Sequence, residues 1–192
     1  ASVLFQRAVE SFNKLGGNEE AVKYAKNYAA QSAFELADYL YDDFAVLRIP
    51  STLNPSVLKK GLQAKAEAEQ KAEAQFNQVL DYKAGGWSAG ALFKIGLLYF
   101  EFKEELLNVP LPEGLDYETE AMYLAILEEI ARPVEEKSLR AFEKALTLAH
   151  QEKVYNKWSK LCGEYAVKVN QDTFPVSGDE MVAADRMKDT LA

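Results

Sequence analysis

The chain has 192 residues and a formal charge of −8 at pH 7, from 30 acidic and 22 basic residues. This acidic balance argues against nucleic acid and anionic membranes as the main partners, because both attract basic surfaces. A single cysteine excludes an intrachain disulfide, and no apolar run approaches the roughly 20 residues that cross a bilayer. With 48% apolar residues, the chain can bury a sizeable core.

Glycine and proline divide the first part of the chain into three predicted helices. The first stops at Gly16-Gly17, where glycine permits a left-handed cap. The third begins at Pro55, with Asn54 as its N-cap. The three helices are predicted over residues 2–15, 18–48 and 55–83.

Three more helices are predicted after Gly85-Gly86, which is expected to end the third helix. Ser88 is predicted to cap the fourth helix, and Asp116 begins the fifth. Pro133 lies inside the fifth helix and predicts a kink or a short break there. The sixth helix contains Trp158.

A last helix is predicted over 178–191, after a capping box that begins at Ser177, and it is expected to cap the apolar edge of the domain. The prediction is therefore an all-α chain of about seven helices, two of them long, forming a single domain over 1–192. The chain begins at Ala1, without Met and inside a predicted helix, so we expect a fragment of a longer protein.

The sequence repeats itself with an offset of 66 residues, which defines duplicated units over about 67–100 and 133–166. The first copy holds Ala72, Phe76, Val79, Leu92, Ile95, Gly96 and Tyr99. The second copy holds, in the same order, Ser138, Phe142, Ala145, Trp158, Leu161, Cys162 and Tyr165. Repeated helix pairs build binding scaffolds more often than active sites, which favours an interaction function.

Trp158-x2-Leu161-Cys162-x2-Tyr165 resembles the first-helix signature of the tetratricopeptide repeat, W-x2-L-G-x2-Y, and the copy that begins at Leu92 is similar. The small-x3-Phe-x2-small pattern before each copy resembles the second-helix signature. The resemblance implies antiparallel helix pairs stacked as a right-handed superhelix. A standard unit has about 34 residues, whereas roughly thirty extra residues separate Tyr99 from Ser138 here.

In tetratricopeptide arrays the first helix of each unit lines a concave binding face. The resemblance carries these groove positions onto Phe93, Leu97, Phe100, Asn156 and Ser159. Two interpretations follow for the apolar stripe among them. Either residues 101–131 fold across the groove and bury it, or the groove is open and receives a helix or extended peptide from a partner.

Catalytic and metal-binding patterns are weak in this sequence. His150 is the only histidine, which excludes paired-histidine zinc sites and di-iron Glu-x-x-His pairs. Cys162 and His150 form the only possible thiol nucleophile and base, but Cys162 occupies a small core position of the repeat. Adjacent glutamates such as Glu128 and Glu129 are typical of solvated helix faces. We therefore predict no enzyme activity, no cofactor and no metal.

The predicted function is a non-catalytic scaffold that binds a protein or peptide. The run over 86–102, followed by Asn108-Val109-Pro110-Leu111-Pro112, looks like tetratricopeptide proteins of deltaproteobacteria, including members associated with gliding motility. That resemblance implies a periplasmic or envelope-associated complex, with the cytoplasm as the alternative. Two other functions stay open: a structural or oligomerising segment with a self-filled groove, and a recruitment domain of a larger enzyme.

Overall fold

The computed structural model describes residues 2–14 and 19–169, and within these ranges the chain is all helical, with no strand. The six helices are α1 (Ser2–Asn13), α2 (Glu19–Val46), α3 (Pro55–Asp81), α4 (Gly85–Leu107), α5 (Tyr117–Gln151) and α6 (Lys157–Val169). This confirms the all-α class. Four helices are long rather than two, and the helix predicted over 178–191 lies outside the described residues.

The predicted caps of α3 and α5 are confirmed. The Asn54 side-chain oxygen accepts hydrogen bonds from the backbone N–H groups of Ser56 and Val57, at 3.0 and 3.3 Å. The Asp116 carboxylate accepts one from the backbone N–H of Thr119 at 2.8 Å, and hydrogen bonding at Thr119 lowers the pKa of Asp116. These bonds satisfy amide groups that would otherwise have no partner in a first helical turn.

The start of α4 differs from the prediction, because Ser88 does not cap it. The helix begins three residues earlier at Gly85, and the Ala84 carbonyl accepts from the N–H groups of Trp87 and Ser88. The preceding turn is made by Lys83, whose φ is +49°. A Cβ on Gly85 would lie 3.0 Å from a Val154 methyl, so this glycine serves close packing rather than helix termination.

Pro133 does not break α5, which is assigned as one helix of 35 residues. Core residues on both sides of it explain this continuity: Leu127 and Ala131 are buried before the proline, and Ser138 and Phe142 after it. Packing along the whole length therefore outweighs the lost backbone hydrogen bond, which costs about 3 kcal/mol in an isolated helix interior.

The extra residues of the long unit extend a helical hairpin. They form the second half of α4, the loop that follows it and the first half of α5. Phe102 and Leu106 of α4 belong to the same buried cluster as Tyr123 and Leu127 of α5. The expectation that residues 101–131 fold across a groove is therefore wrong, because these residues pack on each other instead.

Helix α4 is the centre of the fold, in contact with α2, α3, α5 and α6. Its closest neighbour is α5, at Gly96. The Ser138 hydroxyl donates a hydrogen bond to the Gly96 carbonyl at 2.9 Å, and a Cβ on Gly96 would lie 2.5 Å from the Phe142 ring. Small residues at these repeated positions thus let two helices approach closely, as ridge-and-groove packing requires.

The two copies of the repeat use equivalent buried positions. The second-helix residues of both copies are fully buried. They are Ala72, Phe76, Val79, Ser138, Phe142 and Ala145. The turns that follow these helices are not equivalent. The residue with a left-handed backbone is Lys83 in the first copy and Lys153 in the second, which is four positions later than the 66-residue offset predicts. Helix α5 therefore carries one more turn before it ends.

Candidate functional site

The predicted groove residues on α4 lie beneath α6. Phe93 is buried, and its ring centroid lies 5.6 Å from that of Trp158 and 5.5 Å from that of Tyr165. Leu97 is buried in the same cluster, and Phe100 packs edge-on against Tyr165 at 5.2 Å. Phe93 and Leu97 therefore do not line an open groove, and the element that covers them is α6 rather than residues 101–131.

Asn156 and Ser159 form the N-terminal cap of α6. The Asn156 side-chain oxygen accepts from the backbone N–H groups of Trp158 and Ser159, at 2.9 and 3.2 Å. The Ser159 hydroxyl accepts from the Asn156 N–H at 3.0 Å and donates to the Asn156 carbonyl at 2.9 Å. These hydrogen bonds show that both residues form the start of α6, and their role as groove positions stays a prediction.

A different depression lies on another face of α4, between α3 and α5. Helices α3 and α5 both pack on α4, yet no Cα of α3 comes within 8 Å of a Cα of α5. Four residues of α4 lie in the gap between them, spaced so that they share one face of the helix: Ser88, Leu92, Ile95 and Tyr99. We call this feature the α3–α5 trough.

The apolar end of the trough is a cavity of about 640 Å³. Leu80, Leu92 and Leu148 supply apolar lining from three helices. Ser88 is only 4% exposed, and its hydroxyl has no hydrogen-bond partner among the described residues. A hydroxyl on a cavity wall can hydrogen-bond to a polar group that enters the cavity.

Charged side chains of both signs line the same cavity, because Glu143 and Glu152 lie there beside the basic residues. Lys83 at the end of α3 and Lys144 on α5 are exposed and form no ion pair within residues 2–14 and 19–169. Arg140 also lines it, but its guanidinium is paired with Glu136 at 3.0 Å. The two lysines are therefore available to an acidic group on a ligand.

The polar end of the trough is a smaller cavity of about 340 Å³, lined in part by Glu73, Tyr99 and Lys137. Glu69 lies behind it, only 4% exposed, with one carboxyl oxygen unpartnered among the described residues. Burial raises the pKa of Glu69 to about 7, the charge of Glu73 adds to the rise, and Lys137 opposes it. Burial and hydrogen bonding to Glu73 raise the pKa of Tyr99.

No pattern in the sequence indicates that Lys65 is buried, and its contacts in the structure define a structural role. Its ammonium group donates to the carbonyls of Phe44 and Leu47 at 3.0 and 2.9 Å, and pairs with Glu105 at 2.7 Å. A cation is favourable at these carbonyls because they end α2. The Lys65 ammonium group thus has three partners inside the protein. Its contacts with Phe44, Leu47 and Glu105 connect α3 to α2 and α4.

The residues considered for catalysis are separated or paired. Cys162 is fully buried, and burial raises the pKa of its thiol to about 12, so it is not an activated nucleophile. His150 is exposed in the last turn of α5. Glu128 and Glu129 are both exposed on α5. Within the described part of the chain, no cluster of three or more potential metal ligands occurs.

Comparison of the chain with protein-family models, with curated proteins and with solved structures returned no match. Among the helices that the structure describes, none combines the length and apolar character needed to cross a membrane. The α3–α5 trough is therefore the candidate site on the strength of its geometry alone.

Proposed function

We propose that the chain is a non-catalytic interaction scaffold that binds a peptide segment of a partner protein in the α3–α5 trough. The observation that carries this proposal is the gap itself. Two long helices flank α4 without meeting, and the space left above α4 includes a cavity of about 640 Å³. That volume falls within the range of roughly 300–1,000 Å³ that is typical of ligand sites.

The proposed architecture is a tetratricopeptide-like right-handed superhelix, with α2/α3 and α4/α5 as antiparallel pairs and α6 as the first helix of the next pair. Contacts between α2 and α4 and between α4 and α6 support this order, because first helices of successive units are neighbours in such arrays. The close approach of Gly96 to Phe142 supports it too, since both belong to the repeated signature.

The chemistry of the trough defines the peptide that it would take. Leu80, Leu92 and Leu148 would receive an aliphatic side chain, and Lys83 and Lys144 would pair with an acidic residue beside it. The Ser88 hydroxyl would supply a hydrogen bond to a polar group of the ligand. The occupant is thus an apolar peptide segment that carries at least one acidic side chain.

Selection of random peptides displayed on phage against the whole chain tests this proposal. The expected result is a set of peptides in which aliphatic and acidic residues are enriched together. A synthetic copy of one enriched peptide is then titrated against three proteins by fluorescence anisotropy: wild type, Thr147→Trp and Arg132→Glu. Thr147 is exposed and lines the cavity, whereas Arg132 is an exposed residue of the same helix that does not.

The proposal predicts that Thr147→Trp raises the dissociation constant at least about 10-fold, because the indole fills the cavity, while Arg132→Glu changes it by less than about 2-fold. Unchanged binding by Thr147→Trp contradicts the trough as the site. The absence of any enriched peptide contradicts peptide binding as the function.

The resemblance to gliding-motility proteins extends the proposal to location. We propose that the partner belongs to a bacterial envelope or motility complex. Fractionation of the source cells with an antibody against the chain is then expected to recover it with the envelope, and recovery in the cytosolic fraction contradicts this location.

A further inference from the structure

A second surface lies on the first half of α5, apart from the trough. Two neighbouring rows of apolar residues run along this half-helix, each spaced by four residues. One row, Tyr123, Leu127 and Ala131, is buried against the core. The adjacent row begins with Met122 and Ile126, which are 62% and 53% exposed, and ends at the half-buried Ile130. We call this second row the outer stripe.

The outer stripe is exposed because α6, the other described helix that contacts α5, packs on the second half of α5. Helix α5 contacts α4 and α6. Its buried contacts in the α6 cluster come from Phe142 and Ala145, in the second half of α5. The first half faces α4 alone among the described helices; α4 covers the inner row, and of the outer row only Ile130 packs against the core. Apolar side chains at helical spacing that remain exposed together are typical of surfaces that bind another helix.

Charge around the outer stripe is of one sign. Residues 113–131 contain six acidic residues and no lysine, arginine or histidine. Glu118 lies one turn before Met122, and Glu129 lies three residues after Ile126, so both border the stripe. Both are exposed. This border repels a second copy of the same surface, because pairing two copies would bring like charges together.

We propose that the outer stripe binds an amphipathic helix of a partner protein whose apolar face is flanked by lysine or arginine. The apolar row of that helix would pack on Met122, Ile126 and Ile130. Its basic residues would pair with Glu118 and Glu129. The occupant is therefore opposite in charge to the acidic peptide proposed for the trough, and the two surfaces can be tested separately.

A synthetic probe tests the proposal without a known partner. The probe is a helical peptide of about 18 residues, or five turns, with leucine along one face and lysine on both flanks. A matched probe carries glutamate in place of each lysine. Both are labelled and titrated by fluorescence anisotropy against the whole chain, against Met122→Ser/Ile126→Ser, and against the control Val46→Ser/Val57→Ser. The control residues are also exposed, at 73% and 45%.

The expected result is that wild type binds the lysine probe at least about 10-fold more tightly than the glutamate probe. Met122→Ser/Ile126→Ser is expected to lose at least about 10-fold in affinity for the lysine probe, and the control less than about 2-fold. Raising the salt concentration is expected to weaken wild-type binding, because the charged border is exposed to solvent.

Equal loss in the two double variants would overturn the proposal, since it would show only general attraction of a cationic peptide to an acidic protein. Equal affinity for the two probes would overturn the charge argument. Sedimentation of wild type and of the Met122→Ser/Ile126→Ser variant completes the test: self-association that the variant abolishes would assign the stripe to a second copy of the chain and also overturn the proposal.

Discussion

The two faces of α4 show how one apolar helix can be buried in two ways. On one face, Phe93 and Phe100 meet the aromatic rings of α6, which fill the space completely enough to place Phe93 at 4% exposure. On the other face, α3 and α5 pass without meeting and leave a cavity above Ser88 and Leu92. Both faces are buried, since Ser88 is 4% and Leu92 is 9% exposed. Large side chains of the covering helix fill the first face, whereas the gap between the two flanking helices leaves a cavity beside the second.

Truncation of the covered face is expected to have the largest effect. Phe93→Ala removes a ring that contacts Phe142, Trp158 and Tyr165, so we expect a loss of about 3–5 kcal/mol in the free energy of unfolding. Urea denaturation followed by circular dichroism measures it. A loss below about 1 kcal/mol would mean that α6 does not pack on this face.

Enlargement of the closest helix contact comes next. Gly96→Leu forces a side chain into the Phe142 ring, 2.5 Å from the Cβ position, and is expected to cost about 3 kcal/mol. Gly163→Leu in α6 is the matched control, because no heavy atom of the described residues lies within 4 Å of its Cβ position. Its expected change is a gain of about 0.5–1 kcal/mol, because leucine is a better helix former than glycine. Similar losses in both variants would contradict the close α4–α5 approach.

The polar end of the trough predicts a pH dependence. The pKa of Glu69 rises from 4.5 to about 7, so the folded state binds more protons than the unfolded state between these values. The contribution of Glu69 to stability is thus highest below pH 4.5 and falls by about 3 kcal/mol as the pH rises to about 7. The charged neighbours that face Glu69 are Glu73 on α3 and Lys137 on α5, with the Tyr99 hydroxyl between them on α4.

Glu69→Gln removes this titration while keeping the shape of the side chain. Urea midpoints between pH 5 and pH 8 are expected to fall for wild type and to stay flat for the variant, which becomes the more stable protein at pH 8. Parallel profiles for the two proteins would show that Glu69 is not buried as described.

The smallest expected effect concerns the Ser88 hydroxyl. Ser88→Ala removes a buried group without a partner among the described residues, so we expect stability to rise by about 1 kcal/mol. Thermal and urea unfolding measure the change. A loss of similar size would reveal a hydrogen bond to this hydroxyl and weaken its assignment to the trough.

Local signals in the sequence predicted the helices better than the site. Asn54 and Asp116 act within a few residues of themselves, and both caps are confirmed. Ser88 has the same chemistry as a cap residue, but Gly85 allows an earlier start, and the serine lies inside the helix. The distinction depends on the packing of the α5–α6 loop against Gly85, which is remote in sequence.

The trough depends on distances that no local pattern contains. Whether α3 and α5 meet is decided by how each packs on α4, and the burial of Lys65 is decided by the end of α2. The stripe of Phe93, Leu97 and Phe100 was recognisable as apolar. The sequence did not indicate that α6 covers this stripe, because the aromatic residues Trp158 and Tyr165 fit the repeat signature regardless of what they pack against.

Methyl-resolved NMR with the peptide selected on phage tests the central claim most directly. Leucine methyl groups are labelled, and the peptide is added in steps. The trough predicts shifts at Leu80 and Leu148, while Leu97 beneath α6 stays unchanged. Shifts at Leu97 with none at Leu80 and Leu148 would contradict the account, because they would show that α6 moves aside and that the face it covers is the binding site.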